Sequence, residues 1–250
     1  MTGVTGPATS GPLTGGTRPP APRTAVVTGA SSGIGLAVAL DLVEAGWHVI
    51  GLSRTRGSLP GGTTWLTCDL ADVTSVDAAV SAVRESAAGG VDAIIHAAGL
   101  QHSGRLGSLD HAGGERMWAV HVRAAERFVD GLVDDVVDGG RVVLVGSRTM
   151  TGVPGKSQYA ATKAALAALA RSWAAELAPR RVTVNVVAPG PTRTAMLEDP
   201  NRSMTPPVVP PLGRLVEPSE VAGLVRFLLE PSGAMVTGQT LVVCGGASLP

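Results

Sequence analysis

Tyr159 and Lys163 are the pair in this chain whose types and spacing most directly suggest chemistry. The sequence holds one tyrosine and only two lysines, one of them four residues after that tyrosine. Four residues are one helical turn, so on a helix both side chains project from the same face. A lysine ammonium beside a phenol favours the phenolate and lowers its pKa from about 10. Such a phenol can give or take a proton near neutral pH. With two lysines in 250 residues, a chance lysine at that offset arises about once in a hundred. The plainer alternative is a packing tyrosine beside a lysine on a helix face.

A second candidate is the run TGASSGIG at residues 28–35. It follows a short apolar stretch and opens a helical one. Gly29 would permit a tight turn, while Gly33 and Gly35 would let backbone approach a pyrophosphate and let helix pack on strand. The first amides of the helix would then face phosphate. A glycine-rich turn with no ligand is the alternative. Ser147 closes the run GRVVLVGS, at the strand end where a parallel sheet presents ligand contacts.

These residues need a scaffold, and the pattern provides one. Apolar strands are expected at TAVVT (24–28), HVIGLS (48–53), TTWLTC (63–68), VDAIIHAAG (91–99), GRVVLVGS (140–147), RVTVNVVAPG (181–190) and GQTLVVCGG (238–246). Helices are expected over about 33–45, 74–87, 108–137, 157–178 and 218–229. Continuous Val/Ile runs alternating with helices predict a parallel sheet covered on both faces. No internal repeat is visible. Residues 194–215 are proline-rich and carry Met196, Leu197 and Met204, which suits a functional loop such as a lid.

Composition removes several classes. The formal net charge is zero, which gives no electrostatic footprint for nucleic acid or an anionic membrane. No apolar run approaches a membrane span. Cys68 and Cys244 form neither a disulfide framework nor a CxxC pair, and are read as buried thiols of a cytoplasmic protein. The histidines lack metal-ligand spacing, so no metal is expected. Residues 1–22 hold five Gly, five Pro and five Thr, with Arg18 their one charged side chain. They are expected to be a disordered extension ahead of a single domain at 23–250.

TGASSGIG, HAAG at 96–99, Ser147, YAATK at 159–163 and PGPTRT at 189–194 occur in order. Together they resemble the short-chain dehydrogenase/reductase family, in its branch of about this chain length, over about residues 23–249. The resemblance implies an α/β fold: a Rossmann-type, doubly wound sheet of about seven parallel strands with helices on both faces. It also implies hydride transfer between a nicotinamide cofactor and a carbonyl or secondary alcohol. Tyr159 is then the general acid or base, Lys163 its activator and a ligand of the nicotinamide ribose, and Ser147 the holder of the substrate oxygen.

The same resemblance assigns Gly29, Ser31, Ser32, Gly33 and Ile34 to the cofactor's phosphates. Ser53 and Arg54 fall beside the adenine ribose, with Arg56 close by. Asp69 and Leu70 fall beside adenine, although Asp69 could instead cap the next turn. Ala98 and Gly99 follow the fourth strand. Pro189, Gly190, Thr192 and Thr194 match positions near the nicotinamide amide and pyrophosphate, and Thr194 is also a candidate N-cap. An arginine fork at Arg54, with no carboxylate at the strand end, favours NADP(H) over NAD(H), which stays possible.

Two departures from the family pattern stand out. The Ser–Tyr separation is one residue shorter than in many relatives, within the loop RTMTGVPGKSQ. His121 stands where many members place an asparagine that holds a water in a proton relay. It is either a tolerated polar replacement or the relay itself, in which case it shifts the pH profile of turnover. His96 also replaces a common asparagine, and little consequence is expected. Gln101 and His102 could face substrate, while His48 and His111 belong to the surface.

The leading expectation is an NADP-dependent carbonyl reductase or alcohol dehydrogenase acting on a small molecule, a medium-sized, partly hydrophobic carbonyl compound. Members of this branch are commonly homotetramers, built through two long helices and the last strand. A reductase of β-ketoacyl thioesters is the main alternative. It would need a basic mouth for an acidic carrier, for which Arg105, Arg193, Arg202 and Arg214 are available. An enoyl reductase should have a different Tyr–Lys spacing. A catalytically idle, cofactor-binding scaffold would be expected to have lost Ser147, Tyr159 or Lys163.

Overall fold

The computed structural model describes residues 22–199 and 205–249. The extension expected at 1–22 lies outside them except for Pro22, as do Arg202 and Met204. Seven parallel strands form one sheet: β1 Thr24–Thr28, β2 His48–Ser53, β3 Thr64–Thr67, β4 Val91–His96, β5 Val136–Val145, β6 Thr183–Pro189 and β7 Thr240–Val243. Their order is β3-β2-β1-β4-β5-β6-β7. The helices are α1 Gly33–Glu44, α2 Val73–Ser86, α3 His111–Trp118, α4 Ala124–Leu132, α5 Ser157–Leu177 and α6 Pro218–Leu229.

Alternate strand residues feed two separate cores. Val26, Ile94, Val142, Leu144 and Val186 face the layer of α2, α4 and α5, where they meet Val80, Phe128 and Leu166. Ala25, Val27, Ile95, Val143 and Val187 face α1 and α6, where they meet Leu42, Val225 and Leu228. With both faces buried, the strands carry no polar alternation, which is why they read as continuous apolar runs. The chain winds from β1 out to β3, then returns beside β1 as β4 and winds the other way. The order therefore reverses between β1 and β4, and that is where such sheets open a ligand crevice at their carboxyl ends.

One element differs from expectation. The helix expected over 108–137 is broken by a π-helical turn, Ala119–Arg123, and ends at Leu132. β5 begins at Val136 because Val91 pairs with it before the register shifts to Ala93 opposite Arg141. The surplus residues of β5 are absorbed at Gly139–Gly140, where Gly139 takes a φ of 78° that side chains rarely adopt. Among the described residues, no helix is long and apolar enough to cross a membrane.

Candidate active site

A cavity of about 620 Å³ opens at the carboxyl ends of the strands, over the reversal point. The glycine loop forms one wall with Gly29, Ser31, Ser32, Gly33 and Ile34. Gly29 has a φ of 71°, and a Cβ there would sit 2.7 Å from the Ala98 Cα. Its glycine therefore permits both the turn and the close approach of the β1 and β4 loops. Ser32 occupies the N-cap position of α1 without capping it, and the first turn holds no acidic side chain. The opening amides of α1 are thus left for an anion.

The other expected cofactor residues line the same space. Ser53 and Arg54 come from the end of β2, Asp69 and Leu70 from beyond β3, and Ala98 and Gly99 from beyond β4. Pro189, Gly190, Thr192 and Thr194 come from the end of β6. Arg56 is exposed and does not line it. Asp69 also accepts from the Ala71 amide at 3.0 Å, so it caps its turn as well. The Thr194 hydroxyl donates to the Thr192 carbonyl at 3.4 Å and does not cap the turn that follows.

Ser147, Tyr159 and Lys163 meet at the centre, each buried. Ser147 follows β5; its Oγ accepts from the Thr149 amide at 3.2 Å and lies 3.0 Å from the Thr149 hydroxyl. Tyr159 lies in the first turn of α5, and the Lys163 Nζ is 5.9 Å from its ring centre. Lys163 donates to the Val145 carbonyl at 2.8 Å, which ties α5 to the end of β5. An ammonium has three donors. That carbonyl is the hydrogen-bond partner Lys163 has among the described residues, so two donors remain for ribose hydroxyls. Burial pushes the Lys163 pKa down to about 7. These features fit a dinucleotide: free helix amides for phosphate, and a buried, underused ammonium for ribose.

His121 lies beneath this group, wholly buried in the π-helical turn. Its ring is edge-on to Tyr159, with centres 5.7 Å apart. Nε2 accepts from the Leu100 amide at 3.1 Å, and Nδ1 lies 2.9 Å from the Thr162 hydroxyl. That hydroxyl spends its one proton on the Tyr159 carbonyl at 2.8 Å. Nδ1 must therefore carry the imidazole proton and donate it to Thr162. Both ring nitrogens are engaged, and neither partner is Lys163 or the Tyr159 phenol. Burial, then the nearby Lys163 charge, hold the His121 pKa well below the usual histidine range.

His96 plays a parallel part, more than was expected of it. Its Nε2 donates to the Val120 carbonyl at 3.0 Å, so its Nδ1 accepts from the Thr28 hydroxyl, also at 3.0 Å. Burial, then the Lys163 charge, take its pKa down to about 3, and it is neutral. The two histidines join β1, β4, the π-helical turn and α5.

Some expectations separate here. Gln101 lines the cavity, but His102 is turned away to Asp110, 2.9 Å from its Nδ1. Arg193 and Arg214 are held by Glu217 and Glu220, which removes them as a free basic mouth. Cys68 and Cys244 are buried free thiols, and no metal-holding cluster exists among the described residues. Sequence reasoning missed Thr149 and Thr162. Thr162 lies inside YAATK, but its partner His121 comes from another element, so spacing could not reveal it.

The family model described as enoyl-(acyl carrier protein) reductase matches residues 29–248. The 3-oxoacyl-[acyl-carrier-protein] reductase FabG of Vibrio harveyi is 35% identical over 237 residues, covering 90% of this chain and 96% of that one. A solved structure of a blue fluorescent protein from a metagenomic library, in complex with NADPH, superimposes with a TM-score of 0.79 at 29% identity. It covers 91% of this chain and 98% of that one. The 3-ketoacyl-(acyl-carrier-protein) reductase of Brucella melitensis, complexed with NADH, gives 0.81 at 26% identity, with the same coverage.

Proposed function

Because the chain belongs to the short-chain dehydrogenase/reductase family and is an NAD(P)-dependent oxidoreductase, we propose that it interconverts a carbonyl compound and its alcohol, with Tyr159 as proton donor and acceptor. The observation that carries this reading is the meeting of Ser147, Tyr159 and Lys163 in one buried cluster beside the glycine loop. The bound nicotinamide supplies the hydride in reduction and takes it in oxidation. Ser147 holds the substrate oxygen as negative charge builds on it. Tyr159 gives that oxygen its proton, and protonated Lys163 stabilises the phenolate left behind. The Tyr–Lys spacing and the presence of Ser147 favour carbonyl over enoyl reduction, despite the wording of the matching family description.

NADP(H) is the preferred cofactor in this reading. Arg54 lines the cavity at the end of β2, and no carboxylate stands there to repel a 2′-phosphate. The neighbours include one NADPH and one NADH complex, so the family as such does not decide. The kinship with FabG supports a second substrate reading, a β-ketoacyl thioester. His121 enters as a positioning residue. With both nitrogens engaged it anchors the loop after β4 and the first turns of α5, and the proton route runs elsewhere.

The test is to mix the protein with NADPH or NADH and a panel of ketones, and follow the loss of reduced-cofactor absorbance. Tyr159→Phe should lower kcat by about 10²–10⁴-fold while cofactor affinity stays close to wild type. Turnover with neither cofactor, together with binding of neither, would end the proposal.

A further inference from the structure

We propose that Thr149 is a positioning residue of the reaction. Its hydroxyl donates to the Ser147 Oγ and so commits the Ser147 proton to the substrate oxygen. This rests on the carbonyl–alcohol reading above and adds a residue to its machinery.

Ser147 and Thr149 are both buried, and both line the cavity. Ser147 is the N-cap of the short turn Arg148–Thr151, where its Oγ accepts from the Thr149 amide at 3.2 Å. The two hydroxyl oxygens lie 3.0 Å apart. Ties to other elements place this turn. The Gly146 amide donates to the Val187 carbonyl of β6 at 2.8 Å, and Lys163 of α5 donates to the Val145 carbonyl at 2.8 Å. A β-branched side chain has restricted χ1 freedom, so Thr149 holds its hydroxyl stiffly against the serine.

A serine hydroxyl has one proton and two lone pairs. The Thr149 amide fills one lone pair, which leaves two arrangements for the pair of hydroxyls. In the first, Ser147 donates to Thr149 and has no proton left for substrate. In the second, Thr149 donates to Ser147, fills its other lone pair and leaves the Ser147 proton directed into the cavity. A carbonyl oxygen only accepts, and so does the alkoxide that develops from it. Its arrival at Ser147 therefore selects the second arrangement.

The resulting chain runs one way, from the Thr149 hydroxyl through the Ser147 hydroxyl to the substrate oxygen. Hydrogen bonds in such a chain polarise one another, most of all where water is excluded. Support from Thr149 thus grows as charge builds on the substrate oxygen. Neither hydroxyl gives up its proton. In reduction the substrate oxygen takes its proton from Tyr159, and in oxidation it returns one to Tyr159, with the same chain holding that oxygen.

The test is a double-mutant cycle. Ethyl acetoacetate and acetoacetyl-CoA are reduced with NADPH by wild type, Thr149→Val, Thr149→Ser, Ser147→Ala and Ser147→Ala/Thr149→Val. Valine keeps the shape and the amide and removes the hydroxyl. Thr149→Val should lower kcat about three- to tenfold, the range of one hydrogen bond. KM for both substrates should change little, because the supported charge develops after binding. Thr149→Ser should recover most of the loss. In the Ser147→Ala background the valine should cost less than about twofold, since Thr149 acts through the serine. NADPH affinity reports that each variant is folded, and Thr149→Ala replaces Thr149→Val in the cycle if the valine variant is not. Where turnover is too slow to follow, the Kd of ethyl acetoacetate for the enzyme–NADP⁺ complex, measured by calorimetry on the same variants, should show the same coupling. A full loss repeated in the Ser147→Ala background overturns the proposal. So does a Thr149→Val enzyme equal to wild type, or a Thr149→Ser enzyme no better than the valine variant. Failure of wild type to bind NADPH would instead overturn the hydride-transfer reading.

Discussion

Lys163 carries its charge into surroundings that oppose it. Burial takes its pKa from 10.5 to about 7, so the unfolded chain binds a proton that the folded one releases between about pH 7 and 10.5. The unfolded state binds more protons in that window, and this group's contribution to stability rises with pH across it. Below the window the folded state bears the full cost of a buried cation. Lys163→Met should therefore gain most relative to wild type at pH 7 and below, with the difference shrinking towards pH 10.5. Thermal unfolding of both proteins across that range measures it, and a pH-independent difference would contradict the depressed pKa. His121 leads to an opposite kind of expectation. Its proton sits on Nδ1 and is committed to Thr162, so removing the ring should loosen geometry without moving a titration. His121→Asn should lower kcat while leaving the apparent pKa values of the kcat profile over pH 5–9 in place. A displaced profile would restore the proton-relay role.

At the level of elements, the π-helical turn Ala119–Arg123 is where two buried histidines, its own His121 and His96 of β4, are tied together beside the active site. It frees the Val120 carbonyl for His96 and places His121 under α5. Replacing His96 with leucine strands that carbonyl and the Thr28 hydroxyl in a buried setting. His96→Leu should cost about 1–3 kcal/mol, measured by urea unfolding, and should lower kcat through the shifted turn. The strands were legible in sequence because buried parallel strands leave short Val/Ile runs between glycine turns, as TAVVT and RVTVNVVAPG do. The turn was not, since AVHVR has the composition of ordinary helix and nothing local marks the break. The start of β5 was hidden for a related reason: Val136 and Val137 read as the tail of a helix until Val91 is seen to pair with Val136. The glycine loop and YAATK were readable because each is contiguous and sits on one element. The parts played by Thr149 and Thr162 depend on tertiary neighbours.

Across the whole molecule, two surfaces have no partner layer among the described residues. The outward side of α5 exposes Ala161, Ala168, Ser172 and Ala175, and β7 is an edge strand with Thr240 and Val242 exposed. Leu212 and Leu249 are also exposed. We propose that these surfaces build a homotetramer. Sedimentation should then report four chains of 25.2 kDa each, and Ala168→Glu should dissociate the particle into smaller species. A monomeric wild type would remove this assembly. The chain's sole tyrosine lies inside the cavity, and this makes the intact protein its own spectroscopic indicator. The near-ultraviolet phenolate band of this protein can come only from Tyr159. A simple absorbance titration, with and without bound nicotinamide dinucleotide, therefore reads the ionisation of one group without isotopes or labels.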